Sequence, residues 1–125
     1  MRTVVAVGVA GSIGAVARYA VEGWVAHRFG ESFPWGTLVV NVAGSFLLGL
    51  LFATLIEGRA IATPWMRTAL TVGLIGGFTT FSTFALETFR LIEGGAYLLA
   101  GANAVGSLGI GLLAIFAGIV VGRMV

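Results

Sequence analysis

The residues best suited to chemistry lie together at positions 76–84, which read GGFTTFSTF. Here the hydroxyls of Thr79, Thr80, Ser82 and Thr83 alternate with the rings of Phe78, Phe81 and Phe84, behind the pair Gly76-Gly77. Hydroxyls both donate and accept hydrogen bonds. A phenyl ring is electropositive along its edge because its quadrupole is negative on its faces. Both groups can face an anion without bearing a full charge. Phe81 and Phe84 are three apart and can face the same way, with Phe78 at the same interval before them. The segment is also a weak helix, since each interior glycine costs about 1 kcal/mol relative to alanine and the threonines are β-branched. A break here would free carbonyl oxygens, which can coordinate a cation where protein or a cavity covers them. The same composition also permits a structural role, with rings filling core and hydroxyls bonding back to the preceding turn.

Further polar groups recur at four-residue spacing. Thr37, Asn41 and Ser45 share one helix face, with Gly44 and Leu48 close to it. Asn103 and Ser107 repeat the interval, and Gly111 extends their face. An asparagine at mid-membrane depth is costly unless its amide finds partners. It either seals a polar seam to a neighbouring helix or offers its NH₂ to an ion path. Two helices with matched polar faces favour an aqueous or anion-lined groove.

The charges point the same way. No Asp, Glu or His falls mid-membrane in the first, second or fourth apolar run. Nothing there repels an anion, and a proton-coupled carrier would lack its buried titratable group. Passive conduction of a small, strongly hydrogen-bonding anion is favoured. Arg18, inside the first run, can snorkel, pair with a carboxylate or make a pathway mouth electropositive. Glu87, one turn past Phe84, is expected at the interface near Arg90.

The elements that must position these groups follow from composition. The chain has 125 residues, 58% of them apolar and only 10% charged. Soluble domains carry roughly a quarter charged residues, so the solvent for this surface is lipid. A spanning helix needs about 20 predominantly apolar residues, and four runs fit: residues 3 to about 25, 36 to 56, about 68 to 91, and 96 to 122. They form a single four-helix transmembrane domain over residues 1–125. The connections are short and carry Pro34 and Pro64, and Trp24, Trp35 and Trp65 fall near run ends, where aromatic belts sit. The first run follows Met1-Arg2 like a secretory leader, but the residues after it are equally apolar, so a retained helix is expected.

Other classes lose support on composition. Cysteine is absent and the only histidine, His27, falls in an expected loop, which disfavours a transition-metal enzyme. No nucleophile–base pair or phosphate loop supports an enzyme, and no basic stripe supports nucleic-acid binding. Gly73/Gly77, Gly118/Gly122 and the stripe Ala6, Ala10, Gly14 predict close helix packing. Arginines are almost balanced: Arg2, Arg59, Arg67 and Arg123 belong to one face, Arg28, Arg90 and Arg18 to the other. The positive-inside rule then orients the chain weakly, which permits insertion both ways up and an antiparallel homodimer.

GSIGAVARY at residues 11–19, GTLVVNVAGSFLLG at 36–49 and GGFTTFSTFALE at 76–87 resemble the Fluc/CrcB fluoride channels. The likeness covers nearly the whole chain, with the fourth helix matched least securely. It implies an all-α membrane protein of four transmembrane helices, with a break in the third, assembled as an antiparallel dual-topology homodimer in the cell (inner) membrane. It implies passive fluoride export through two pathways. Asn41 would line the pore, Phe81 and Phe84 would contact fluoride, and Ser82, Thr83 and Ser107 would form a polar track, with Arg18 as the family's first-helix arginine. A structural Na⁺ at the dimer centre would be held by the backbone carbonyls of Gly76 and Thr79. The competing class is a small proton-coupled multidrug transporter of four helices. It needs a glutamate in the core of the first helix, where this chain has only Glu22, late and after Arg18. A non-transporting membrane assembly factor is a third class, and it gives Asn41 no reason to face a Phe–hydroxyl cluster.

Overall fold

A computed structural model describes residues 1–57 and 61–125; Arg59, counted above among the balanced arginines, lies outside the described residues. The chain is helical almost throughout, and four helical stretches are long and apolar enough to cross a membrane. Helix α1 is Arg2–Phe29 and α2 is Trp35–Leu51, which runs on through wide π-helical turns at Phe52–Ile56. The third span is divided. Its first half, α3, comprises Pro64–Thr68, π-helical turns at Ala69–Ile75 and a last turn at Gly76–Phe78. Its second half, α4, is Phe81–Glu93, and α5 is Tyr97–Met124.

Local chemistry explains the boundaries. Pro64 opens α3, where its missing N–H is no loss. Gly30 (φ 81°) ends α1 and Gly95 (φ 76°) turns the chain from α4 into α5, in a region that side chains with a Cβ avoid. His27 therefore lies in the last turn of α1, not in a loop, because the helix continues until Gly30. In the wide turns, the hydroxyls of Thr54 and Thr71 donate to the carbonyls of Leu50 and Arg67, each at 2.8 Å. Such side-chain bonds to the i−4 carbonyl weaken the backbone ladder locally.

The helices pair through backbones. The α1 stripe meets the third span: a Cβ on Gly14 would collide with the carbonyl oxygen of Leu74 and lie 2.9 Å from the Phe78 nitrogen. A Cβ on Gly73 would sit 2.8 Å from the Val7 oxygen and 3.0 Å from the Ala10 Cβ. Helices α2 and α5 pair likewise, with Gly49 against the Ile115 carbonyl and Gly118 against the Phe46 carbonyl. The core this leaves is small: Val25, Val40 and Asn103 are the largest side chains fully enclosed. Val4, Ile13, Leu98, Leu113 and Phe116 all point outward. Apolar surface so continuous is what lipid covers, and the protein is a multi-pass membrane protein.

Candidate functional site

The break in the third span builds the site. Thr79 and Thr80 are extended, with φ/ψ of −84°/159° and −149°/117°. The N–H and hydroxyl of Thr79 both donate to the Ile75 carbonyl, at 2.9 and 3.1 Å, and close the last turn of α3. The next N–H, that of Thr80, donates to Asn41 Oδ1 at 2.8 Å, while Asn41 Nδ2 donates to the Thr80 carbonyl at 2.9 Å. One amide thus satisfies both backbone groups of a buried, extended residue. Thr80 then caps α4: its Oγ1 accepts from the Thr83 N–H at 3.4 Å, and its O–H donates to Thr83 Oγ1 at 2.9 Å.

The glycine pair is not the break. Gly76 is helical, with φ −62° and ψ −36°. Gly77 allows close approach, since a Cβ there would lie 2.5 Å from the Gly11 oxygen. The helix opens later because Asn41 offers Thr80 an external partner, and low propensity alone does not.

The break also decides which carbonyls are freed. Gly76 O loses its helical donor because the Thr80 N–H goes to Asn41. Thr79 O loses its own because the Thr83 N–H goes to the Thr80 hydroxyl. Gly76 is exposed and Thr79 half-buried. Among the described residues the Gly77 and Phe78 carbonyls likewise receive no backbone donor across the break, so Gly76 and Thr79 are two of four neutral oxygens of the kind that suits a hard cation.

Asn41, Ser45, Thr79, Thr80 and Phe81 line a groove of about 240 Å³, floored by Gly44, Leu48 and Ile75. Gly44 leaves room for the Thr79 methyl group. Phe81 is 79% exposed, and its ring centroid lies 6.0 Å from that of half-buried Phe84, the planes tilted by 45°. A larger vestibule of about 450 Å³ has Glu22, Thr37, Glu87 and Arg90 in its wall. The Thr37 hydroxyl donates to Glu87 Oε1 at 2.9 Å, so Glu87 turns toward α2 as well as sharing the vestibule with Arg90. Glu22 Oε1 and Glu87 Oε2 are buried without a hydrogen-bond partner among the described residues.

The remaining sequence candidates are dispersed. Thr83 joins the cap. Ser82 is exposed, with no hydrogen bond among the described residues. Ser107 donates to Asn103 Oδ1 at 3.2 Å. Arg18 is half-exposed on α1, one turn before Glu22, and does not line the groove. Sequence reasoning missed Thr80 as the partner of Asn41, Thr88 as the partner of Asn103, and the meeting of Glu22 with Glu87. Thr80 carried a usable signal, a hydroxyl residue directly before a helical run.

This fold and site define a class: a small polytopic helical membrane protein whose third span opens around a hydroxyl–phenylalanine segment. The chain belongs to the CrcB family, and residues 5–119 match the family described as "CrcB-like protein, Camphor Resistance (CrcB)". A relative from Geobacter sulfurreducens, named "Fluoride-specific ion channel FluC", is 44% identical over 123 residues and 98% of each chain. Relatives of the same name from Opitutus terrae and Rhizobium meliloti are 50% and 46% identical. The alignments cover 86% of this chain and 83% of the relative in the first case, and 98% of both in the second.

Proposed function

We propose that two copies of this chain assemble antiparallel in the cell (inner) membrane and conduct fluoride passively. The observation that carries this reading is the paired hydrogen bond between Asn41 and Thr80. It holds the break open while the second hydrogen of Asn41 Nδ2 has no acceptor among the described residues, in a groove shared with Phe81. That N–H and the electropositive edges of Phe81 and Phe84 make a site for a small anion that accepts strong hydrogen bonds. Ser82, Thr83 and Ser107 supply further hydroxyls along the route, and Arg18 raises the potential at its mouth. No carboxylate lines the groove. The names of the relatives agree on fluoride as the anion.

The homodimer draws support from the exposed Phe81 and Gly76, which leave the groove and the freed carbonyls open on one side of a single copy. Carbonyls of Gly76 and Thr79 from two copies would give a central Na⁺ four neutral oxygens; this ion is structural and carries no current. Near-balanced arginines permit both orientations. In acid surroundings HF crosses the membrane and dissociates inside, and the channel lets the trapped anion leave.

The test is fluoride efflux from liposomes containing the purified protein, with chloride as control. Rapid fluoride efflux without chloride efflux is expected. Efflux no faster than from empty liposomes overturns the reading.

A further inference from the structure

Ser107, Asn103 and Thr88 form a chain of hydrogen bonds that ends on the carbonyl of Phe84. The Ser107 O–H donates to Asn103 Oδ1 at 3.2 Å, Asn103 Nδ2 donates to Thr88 Oγ1 at 2.9 Å, and the Thr88 O–H donates to Phe84 O at 2.8 Å. Asn103 is 1% exposed. A buried amide is costly without partners, so its partners fix which way it points. The amide nitrogen only donates, so Thr88 Oγ1 accepts from Asn103 and has its single hydrogen for Phe84. The amide oxygen only accepts, so the single hydrogen of Ser107 is spent on Asn103. Each bond sets the direction of the next.

We propose that Asn103 is a positioning residue of the anion pathway: through Thr88 it anchors the helical turn that carries Phe84, and through Ser107 it ties that turn to a pathway hydroxyl. The part played by the anion and by the ring rests on the fluoride reading above; the anchoring does not. Helix α4 needs such an anchor because none of its residues is buried. Its start is held from α2, by Asn41 at Thr80. Its next turn is held from α5, by Asn103 acting through Thr88. Thr37 also holds Glu87, next to Thr88, from α2. The Phe81 and Phe84 rings stand between the Asn41 and Asn103 fastenings, and losing the Asn103 bond leaves the turn that carries Phe84 held from α2 alone.

The experiment places para-fluorophenylalanine at position 84 of the full-length protein. It reads the ring's fluorine NMR line beside fluoride efflux from liposomes. Thr88→Val keeps the shape of the side chain and removes the hydroxyl; Thr88→Ser restores the hydroxyl. Thr88→Val should move the fluorine line and slow efflux about tenfold, the effect of one lost buried hydrogen bond. Thr88→Ser should return both to the parent values, and Asn103→Leu should match Thr88→Val. If Asn103→Leu does not fold, the two Thr88 variants decide the matter alone. An unmoved fluorine line in Thr88→Val overturns the proposal, as does unchanged efflux in a conducting protein. If the parent protein passes no fluoride, the proposed function fails. The fluorine line then still decides the anchoring: moved by valine and rescued by serine, it stands; unmoved, it falls.

Discussion

The third span is held in two different ways on the two sides of its break. Before it, α3 lies on α1 through backbone contact at Gly14, Gly73 and Gly77, with little side chain between. After it, α4 buries no residue and is fastened by hydrogen bonds: Thr37 to Glu87, Asn41 to Thr80, Asn103 to Thr88. In lipid, apolar burial does not drive helices together, so close packing and polar bonds are the available means. The glycine seam uses no polar side chain and offers none to a ligand. The polar fastening leaves donors to spare, on the half that packs least.

Breaking the glycine seam should have the largest effect on the fold. A Cβ at Gly14 meets backbone atoms of Leu74 and Phe78, so no side-chain rotation relieves it. Gly14→Val should destabilise the protein by about 3 kcal/mol or more, read as a lowered thermal midpoint and loss of monodisperse protein. Whatever still folds should conduct as the parent does. A normal midpoint would mean that the seam is looser than the structure has it.

Next comes the fastening itself. Asn41→Leu leaves the Thr80 N–H and carbonyl without partners, at about 1–3 kcal/mol for each group. Fluoride efflux should vanish even in protein that reconstitutes as well as the parent. Asn41→Asp is the sharper variant. It still accepts from the Thr80 N–H, but it loses the donor to the carbonyl and adds a negative charge to the groove. It should lose efflux with a smaller drop in midpoint than Asn41→Leu; conduction by this variant would remove Asn41 from the anion's route.

Phe81→Ile separates chemistry from packing on the same half. Phe81 is 79% exposed in a single copy, so the fold should lose no more than about 0.5 kcal/mol of stability, as for other surface changes. Efflux should nevertheless fall strongly. Unchanged efflux would take Phe81 out of the mechanism.

The same contrast explains what could be read from the sequence. The four spans were legible because each is an apolar run of membrane length, and the glycine contacts because small residues recur at helical spacing. The break was legible in kind, from the weak helix formers, but not in place. Glycines mark where a helix can open; Asn41, 39 positions from Thr80, decides where it does. Glu87 shares the vestibule with Arg90, but its bond to Thr37, 50 positions away, could not be read from the sequence. Asn103 and Ser107 announced themselves by spacing along one helix. Thr88 did not, because a threonine on α4 acquires meaning only when α5 lies beside it. Within a helix the chemistry follows from periodicity; between helices it depends on which faces meet.

The smallest effect belongs to the ends of α2 and α5. Arg123 Nε and Nη2 donate to Glu57 Oε2 and Oε1 at 2.8 and 2.7 Å, the one ion pair among the described residues. The hydrogen bond from Arg123 holds the Glu57 carboxyl below its ordinary value of 4.5. A carboxyl group whose pKa is lowered by folding stabilises the fold above its unfolded pKa, and that contribution is lost as pH falls through the lowered value. The Arg123 side chain is 60% exposed, so screening keeps the pair weak. Glu57→Gln should therefore lower the thermal midpoint slightly at neutral pH. The difference from the parent should shrink below pH 4.5, and salt should shrink it too. Efflux should not change, because Gly49 and Gly118 already hold α2 against α5 without the pair. A midpoint difference that grows in acid, or a loss of efflux, would mean that the backbone seam between α2 and α5 does not suffice and that this polar clamp also sets the pathway.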